Sequence, residues 1–310
     1  MKTIKGIIPP MITPLKGDDQ IDREGTVRLT EHILAGGVHA LFLLGTTGEA
    51  QSLSYECRYD FVELVCRQVA GRVPVLVGVT DTSLDESVKL AAHAAKCGAV
   101  AVVAAAPYYF APSQQELIEY YTALADALPL PLFLYNMPSH VKVFLEPATV
   151  KTLAEHPNIV GLKDSSANMT YFQTLLYHLG DREDFALYVG PEELTGESVV
   201  MGADGGVNGG ANIFPELYVQ MYYAACNRDV NTMRALQRKI MQISTSLYTV
   251  GKYGSSYLKG VKCSLSLMGI CDDYMSYPYR RFPHRGARPH PQGPRSAGNR
   301  LRRMTHDRTT

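Results

Sequence analysis

Short apolar runs recur along the chain, and segments with helical periodicity separate them. Each run has the length of a buried strand and is apolar on both faces, which is typical of parallel strands covered by helices. The eight candidate strands are residues 7–12, 40–44, 74–79, 99–105, 130–135, 159–163, 186–189 and 205–208. The last of these is rich in glycine and gives the weakest signal.

The segments between these runs carry helix-start signals. Ser83 stands where a helix N-cap is expected, and Glu86 follows three residues later in the capping-box pattern. Ser54 and Ser113 precede segments of similar layout. Eight strand–helix repeats predict an α/β fold, a (β/α)8 TIM barrel, rather than an open doubly wound sheet. No GxGxxG motif follows the first strand, which argues against a dinucleotide-binding fold.

The pattern changes after about residue 215, where strand signals stop. Three later segments have helical patterns: residues 215–226, 230–250 and 255–268. The end of the chain is rich in arginine and proline and has almost no apolar content, so it is predicted to be disordered. The predicted division is a catalytic barrel over residues 1–225, a C-terminal helical extension over residues 226–279 and a disordered basic tail over residues 280–310.

The charge is unevenly distributed, although the formal net charge of the 310 residues is zero. Residues 280–310 contain nine arginines and one acid, so residues 1–279 carry a net charge of −8. An acidic body argues against a nucleic-acid-binding surface on the folded part. The basic tail could bind an acidic partner, and a solvated tail without function is the simpler interpretation.

The cysteines and the first residues of the sequence indicate the cellular compartment of the protein. None of the six cysteines forms a CxxC pair, and no Cys/His cluster has zinc-finger spacing. This pattern indicates that the cysteines are small apolar residues of a reduced cytosolic protein. The start, MKTIKGIIPPMITP, has a short apolar stretch broken by prolines, unlike a signal peptide or a membrane span. We therefore predict a cytoplasmic protein without a membrane partner.

Polar side chains follow the candidate strands, at the end of a barrel where its enzymes carry their active sites. The sixth strand ends in Lys163, although a charge that leaves water costs several kcal/mol. The other candidates are Thr46 and Thr47 in the GTTGE turn, Tyr108 and Tyr109, Tyr135 and His140 in YNMPSH, and Glu192 and Glu193 in VGPEE. They include no set with metal-ligand spacing and no GxSxG elbow, so we expect no metal site.

The lysine suggests covalent chemistry. Burial disfavours the ammonium form, and the neutral amine can attack a carbonyl to form a Schiff base. This imine stabilises a carbanion at the neighbouring carbon, and tyrosine and threonine hydroxyls can shuttle the protons. Backbone N–H groups in a glycine-bounded turn such as GTTGE can hold the carboxylate of a 2-keto acid.

Each candidate also has a structural interpretation. Lys163 could extend from the strand end to water, and Tyr135 could be a core residue with a locally satisfied hydroxyl. The GTTGE stretch could be an ordinary turn, and Glu192 and Glu193 could be first-turn helix acids. These structural interpretations are less favoured when the residues are considered together, because a barrel would bring all the polar groups to one rim.

Several motifs, in this order, resemble the dihydrodipicolinate synthase / N-acetylneuraminate lyase family of class I, Schiff-base pyruvate aldolases. They are GTTGEAQSLS, PYYFAPSQQEL, YNMPS, VGLKDSS and GADGGVNGGANIFPELY, and the resemblance covers about residues 4–279. It implies a (β/α)8 barrel with a C-terminal helical bundle, which usually assembles as a tetramer of two dimers. It also implies that the enzyme needs no metal or organic cofactor.

The resemblance assigns roles to particular positions. Lys163 resembles the lysine that captures pyruvate, and Tyr135 resembles the tyrosine that moves protons beside the imine. Thr46 and Thr47 resemble the hydroxyl pair that holds the keto-acid carboxylate and joins the relay. Tyr109 resembles the tyrosine that reaches across the dimer interface into a neighbouring subunit.

Other positions bear on the substrate. Val207 lies where the family has a branched apolar residue near pyruvate, and Gly190 is a further substrate-binding candidate. True dihydrodipicolinate synthases carry an arginine where this chain has His140, which is shorter and mostly neutral. Glu193, together with Glu192, resembles the acids that sialic-acid lyases present to substrate hydroxyls. The polar pattern of those lyases after strand eight is not matched.

We therefore predict a lysine-imine aldolase or lyase that acts on pyruvate and an aldehyde, most simply by retro-aldol cleavage of a 2-keto-3-deoxy sugar acid. The alternatives are a dihydrodipicolinate synthase that condenses pyruvate with aspartate semialdehyde, and a related keto-acid dehydratase. A further alternative is a barrel that serves only as a binding or regulatory subunit. The expected partners are the small-molecule substrate and further copies of the chain.

Overall fold

The computed structural model describes residues 4–283. Its ten strands are β1 (Gly6–Ile7), β2 (Leu15–Gly17), β3 (Gln20–Ile21), β4 (Leu41–Leu43), β5 (Val75–Gly78), β6 (Ala101–Ala105), β7 (Leu132–Asn136), β8 (Ile159–Asp164), β9 (Ala186–Val189) and β10 (Gly205–Gly206). Eight of them form one parallel sheet in the order β1-β10-β9-β8-β7-β6-β5-β4.

The sheet closes on itself where the chain after β1 meets β4. The N–H of Met11 donates to the carbonyl of Phe42 at 2.8 Å, and the N–H of Phe42 donates to the carbonyl of Pro9 at 3.0 Å. These bonds join the two ends of the sheet, so the predicted (β/α)8 barrel is confirmed. The first strand is shorter than predicted because Pro9 and Pro10 have no N–H to donate. The sequence patterns also missed β2 and β3, a short antiparallel hairpin.

The helices cover the outside of the barrel and extend beyond its last strand. They are α1 (Arg23–Ala35), α2 (Tyr55–Val69), α3 (Leu84–Lys96), α4 (Gln114–Ala127), α5 (Pro138–Val141), α6 (Pro147–Leu153), α7 (Met169–Leu179), α8 (Thr195–Val200), α9 (Pro215–Cys226), α10 (Val230–Ser246) and α11 (Ser256–Leu267). Within residues 4–283, no helix is long and apolar enough to cross a bilayer.

The three predicted helix N-caps are confirmed, with one correction. The side chains of Ser54, Ser83 and Ser113 each accept a backbone N–H from the helix that follows. The reciprocal capping box, however, forms at Ser113 with Glu116 rather than at Ser83. Glu86 pairs with Lys89 at 2.7 Å instead of reaching back to the N-cap.

The last three helices lie close to their predicted positions, and α10 ends at Ser246, four residues before the predicted end. Helix α9 packs on α8 and α10 through an apolar cluster that includes Tyr218, Met221, Leu236 and Ile240. The chain then returns through α11 to the mouth of the barrel. The division into a barrel and an extension stays a prediction, and the predicted disorder of the tail falls almost entirely outside the described residues.

Candidate active site

A cavity of about 1200 Å³ opens at the carboxyl ends of the barrel strands. Lys163 and Tyr135 are each the last residue but one of their strands, β8 and β7, and the parallel register sets them side by side. Both line the cavity, and Lys163 is only 6% exposed. The lysine at the end of the apolar run therefore points into the barrel mouth rather than outward to bulk water.

Aromatic rings surround the Lys163 amine. Its Nζ lies 4.1 Å from the centroid of the Tyr135 ring and 5.1 Å from that of Phe42, distances at which a cation is attracted to a ring face. Among residues 4–283, no carboxylate forms an ion pair with it. The amine is therefore buried beside two ring faces and lies within reach of a molecule in the cavity.

The Tyr135 hydroxyl lies between the lysine and the GTTGE turn, 3.4 Å from Thr46 Oγ1. Burial of this phenol would by itself raise its pKa, but the charge of Lys163 and hydrogen bonds from Thr46 and Ser165 outweigh burial and lower the pKa. A tyrosine that gives up its proton more readily is suited to proton transfer at a neighbouring group. The structure thus brings together three of the predicted catalytic side chains.

The GTTGE turn is a short 3-10 segment, Thr46–Gly48, bounded by two residues with left-handed backbones. Leu44 and Glu49 both have φ of 55°, which is uncommon outside glycine and marks a constrained turn. The first N–H groups of a helical turn have no acceptor within it, so those of Thr46 and Thr47 are available to an anion. Thr47 Oγ1 lies 3.0 Å from the hydroxyl of Tyr257 in α11.

A buried ion pair that the sequence analysis missed anchors this turn. The carboxylate of Glu49 pairs with Lys262 of α11 and accepts hydrogen bonds from the N–H and hydroxyl of Ser276 at 2.9 and 2.8 Å. Lys262 also donates to the carbonyl of Tyr274 at 2.7 Å. The side chains of Glu49 and Lys262 are 0% and 1% exposed. The C-terminal segment therefore fastens the turn to the helical extension.

Most of the predicted substrate-binding residues line the same cavity. Gly190 and Val207 form part of its wall, Glu193 is half-buried in it, and His140 lies exposed at its rim. Burial of part of the His140 ring, followed by the charge of Lys163, lowers the pKa of the imidazole. A histidine kept neutral in this way is a weak clamp for a carboxylate.

Other protein groups already bind the carboxylate of Glu192. Its carboxylate accepts hydrogen bonds from Tyr218, Tyr248 and the N–H of Gly210, and it is buried. Burial raises the pKa of Glu192 to about 7 against the opposing effect of these donors. Three donors already engage its oxygens, which favours Glu193 as the candidate acid for contact with a substrate.

Tyr109 is the predicted site residue that the described chain does not bring to the cavity. It is 82% exposed, and its ring contacts that of Phe110 at a centroid distance of 5.3 Å. Its neighbour Tyr108 lines the cavity instead. This placement leaves the predicted reach of Tyr109 into another subunit untested.

Known proteins resemble this chain over most of its length. The family model described as the dihydrodipicolinate synthetase family matches residues 3–284. A 4-hydroxy-tetrahydrodipicolinate synthase from Hyphomonas neptunium is 37% identical over 276 residues, 88% of this chain and 91% of the relative. The probable 2-dehydro-3-deoxy-D-pentonate aldolase YjhH from Escherichia coli is 34% identical over 272 residues, 87% of this chain and 89% of the relative.

A solved structure agrees with these sequence matches. The dihydrodipicolinate synthase from Bacteroides thetaiotaomicron superimposes with a TM-score of 0.89 at 59% sequence identity, covering 91% of this chain and 95% of that one. The Hyphomonas and Escherichia relatives are similar to this chain to about the same extent, but their names state different reactions. The matches therefore establish the family and do not identify one substrate. The chain belongs to the dihydrodipicolinate synthetase family of lysine-imine lyases.

Proposed function

We propose that this chain is a class I aldolase in which Lys163 forms the Schiff base with the keto carbon of its substrate. The observation that carries the proposal is the position of the Lys163 amine, 4.1 Å from the centroid of the Tyr135 ring and 5.1 Å from that of Phe42, without a carboxylate partner among residues 4–283. A neutral amine there attacks the carbonyl, and loss of water gives the imine.

The neighbouring hydroxyls supply the proton transfers. In the cleavage direction, Tyr135 as phenolate removes the proton from the C4 hydroxyl of a 2-keto-3-deoxy acid, and the C3–C4 bond breaks as the aldehyde leaves. The electron pair of that bond moves into the imine and forms an enamine, which Tyr135 then protonates at C3. Hydrolysis releases pyruvate and free Lys163. Thr46, 3.4 Å from the Tyr135 hydroxyl, extends the proton path.

The GTTGE turn is the proposed site for the substrate carboxylate. The N–H groups of Thr46 and Thr47, with the hydroxyl of Thr47, can donate to its two oxygens. Gly190 and Val207 line the cavity beside the lysine and leave room for the short three-carbon unit. The carboxylate and the keto carbon are thus held at two fixed points, which orients the bond to be cleaved.

We propose a 2-keto-3-deoxy sugar acid as the substrate. The carboxylate of Glu193, which lines the cavity and has no hydrogen bond or ion pair among residues 4–283, can accept hydrogen bonds from the sugar hydroxyls. The name of the YjhH relative, a pentonate aldolase, supports this choice. Synthesis of 4-hydroxy-tetrahydrodipicolinate is the second candidate, favoured by the name of the structure that is 59% identical. A dehydratase outcome from the same imine is the third.

We further propose a homo-oligomer in the cytoplasm. Tyr109 and Phe110 form an aromatic pair, each residue 82% exposed, on the loop after β6. Adjacent exposed aromatic side chains are typical of a protein–protein contact. The family resemblance gives Tyr109 a place in the site of a neighbouring copy, and this pair has the exposure that such a contact needs.

Reductive trapping tests the covalent step. Sodium borohydride added with pyruvate is expected to reduce the imine and leave pyruvate's three-carbon adduct on Lys163, identified by peptide mass spectrometry. Borohydride without pyruvate, and pyruvate without borohydride, are the controls. An unmodified Lys163 under conditions that saturate the site would contradict the proposed function.

His140 separates the two leading substrates. We expect the unaltered chain to release pyruvate from 2-keto-3-deoxygluconate faster than it condenses pyruvate with aspartate semialdehyde. His140→Arg is expected to raise kcat/KM for aspartate semialdehyde about tenfold or more, because a guanidinium binds a carboxylate through two hydrogen bonds. His140→Lys is the matched control, which adds charge without the paired geometry. Efficient condensation by the unaltered chain would favour the synthase instead.

A further inference from the structure

Helix α11 makes a direct contact with the GTTGE turn through Tyr257. The hydroxyl of this tyrosine lies 3.0 Å from Thr47 Oγ1 and lines the same cavity as Lys163. Thr47 is the one hydrogen-bond partner of that hydroxyl among residues 4–283. The contact joins residues 210 positions apart in the chain, which no local motif could reveal.

The direction of this hydrogen bond follows from the groups around it. Burial, and next the charge of Glu192, raise the pKa of Tyr257, which keeps the phenol protonated. Thr47 Oγ1 is the one acceptor within hydrogen-bond distance of this O–H among residues 4–283, so we infer that the phenol donates to Thr47. A threonine hydroxyl has one proton and two acceptor lone pairs. When Thr47 accepts from Tyr257, its own proton is left for another acceptor. The neighbouring N–H groups of the turn already favour an anion at that place.

The surroundings of Tyr257 fix its position. A Cβ atom at Gly209 would lie 1.6 Å from the Tyr257 oxygen, so a glycine is required there for the ring to reach Thr47. The ring of Tyr248 packs edge-on against Tyr257 with centroids 4.8 Å apart. Tyr248 is held in turn by its hydrogen bond to Glu192 at 2.8 Å. Gly209, in the glycine-rich stretch after the eighth barrel strand, therefore leaves the space that the Tyr257 side chain occupies.

We propose that Tyr257 is a positioning residue that commits the Thr47 hydroxyl to donate to the carboxylate of the bound keto acid. This role rests on the proposed function, because it requires the GTTGE turn to hold that carboxylate. Tyr257 acts through Thr47 and takes no part in the bond-breaking step. Its loss should therefore weaken substrate capture more than it slows the chemistry that follows.

The test compares Tyr257→Phe with the unaltered chain by borohydride trapping at increasing pyruvate concentrations. The variant is expected to need about five to ten times more pyruvate for half-maximal labelling of Lys163, with full labelling at saturation. Turnover should show the same split, a raised KM with kcat nearly unchanged. Tyr121→Phe is the matched control, since this buried tyrosine donates one hydrogen bond to the carbonyl of Ala104 outside the cavity.

Two further variants distinguish a loss of Thr47 orientation from a general loss of structure. Gly209→Ala should displace the Tyr257 hydroxyl and raise half-saturation similarly, even if Tyr257→Phe folds poorly. In a Thr47→Val background, Tyr257→Phe should have no further effect, because its target is gone. An unchanged half-saturation in Tyr257→Phe, or fully additive effects with Thr47→Val, would overturn this role. Failure of the unaltered chain to label at Lys163 would instead overturn the proposed function itself.

Discussion

Lys163→Met is expected to reduce turnover by about 10⁴-fold or more, because the proposed mechanism needs the imine on Lys163 to accept the electron pair. Methionine has a similar length and fits a wall made of Phe42 and Tyr135. The fold should therefore survive, and thermal unfolding should show a midpoint no lower than that of the unaltered chain. Steady-state pyruvate release, measured with a coupled dehydrogenase, gives the rate.

The control for this variant is Lys151→Met, which removes an exposed lysine from α6 outside the cavity. It should retain full turnover. Lys163→Met that keeps more than about one per cent of the original rate would place the nucleophile elsewhere. A large fall in its unfolding midpoint would mean that Lys163 serves stability.

Lys262→Met is expected to lower the free energy of unfolding by about 3–5 kcal/mol, the usual cost of removing one partner from a buried ion pair. The variant leaves the carboxylate of Glu49 buried, and among residues 4–283 it keeps only the two hydrogen bonds from Ser276. Because Glu49 is the last residue of the GTTGE turn, which is the proposed carboxylate site, pyruvate affinity should fall as well. Urea unfolding followed by circular dichroism measures the first effect, and borohydride labelling measures the second.

Two comparisons make this prediction specific. Lys89→Met breaks a solvent-exposed pair with Glu86 and should change stability little, since such pairs contribute little. The double variant Glu49→Gln/Lys262→Met removes both charges and should recover part of the lost stability. If Lys262→Met unfolds at the same urea concentration as the unaltered chain, the buried pair does not hold the turn.

The barrel and the centre of its site could be predicted because both depend on local pattern. Apolar runs of strand length fixed the strands, and the end of each strand fixed which polar side chains meet. Lys163 and Tyr135 occupy equivalent places on adjacent parallel strands, so the repeat alone brought them together. Thr46 followed from its place after β4, at the same end of the barrel.

The contacts that the sequence did not predict join distant parts of the chain. Tyr257, Lys262 and Ser276 meet the GTTGE turn across more than 200 residues. Nothing in a helical pattern says which of its polar residues will be buried against a strand end. Glu192 is a related case, because its motif gave no indication of the hydrogen-bond donors that contact its carboxylate.

Tyr274 and Ser276, which follow the last described helix, contact the buried Glu49–Lys262 pair beside the barrel mouth. A gene shortened by a premature stop codon just before them would still encode all the strands and helices described above, and every motif of the family. Its product would lack two groups that brace Glu49 and Lys262. The gene of a homologue should therefore be checked for the segment that follows α11, because the motifs alone do not show that the enzyme is intact.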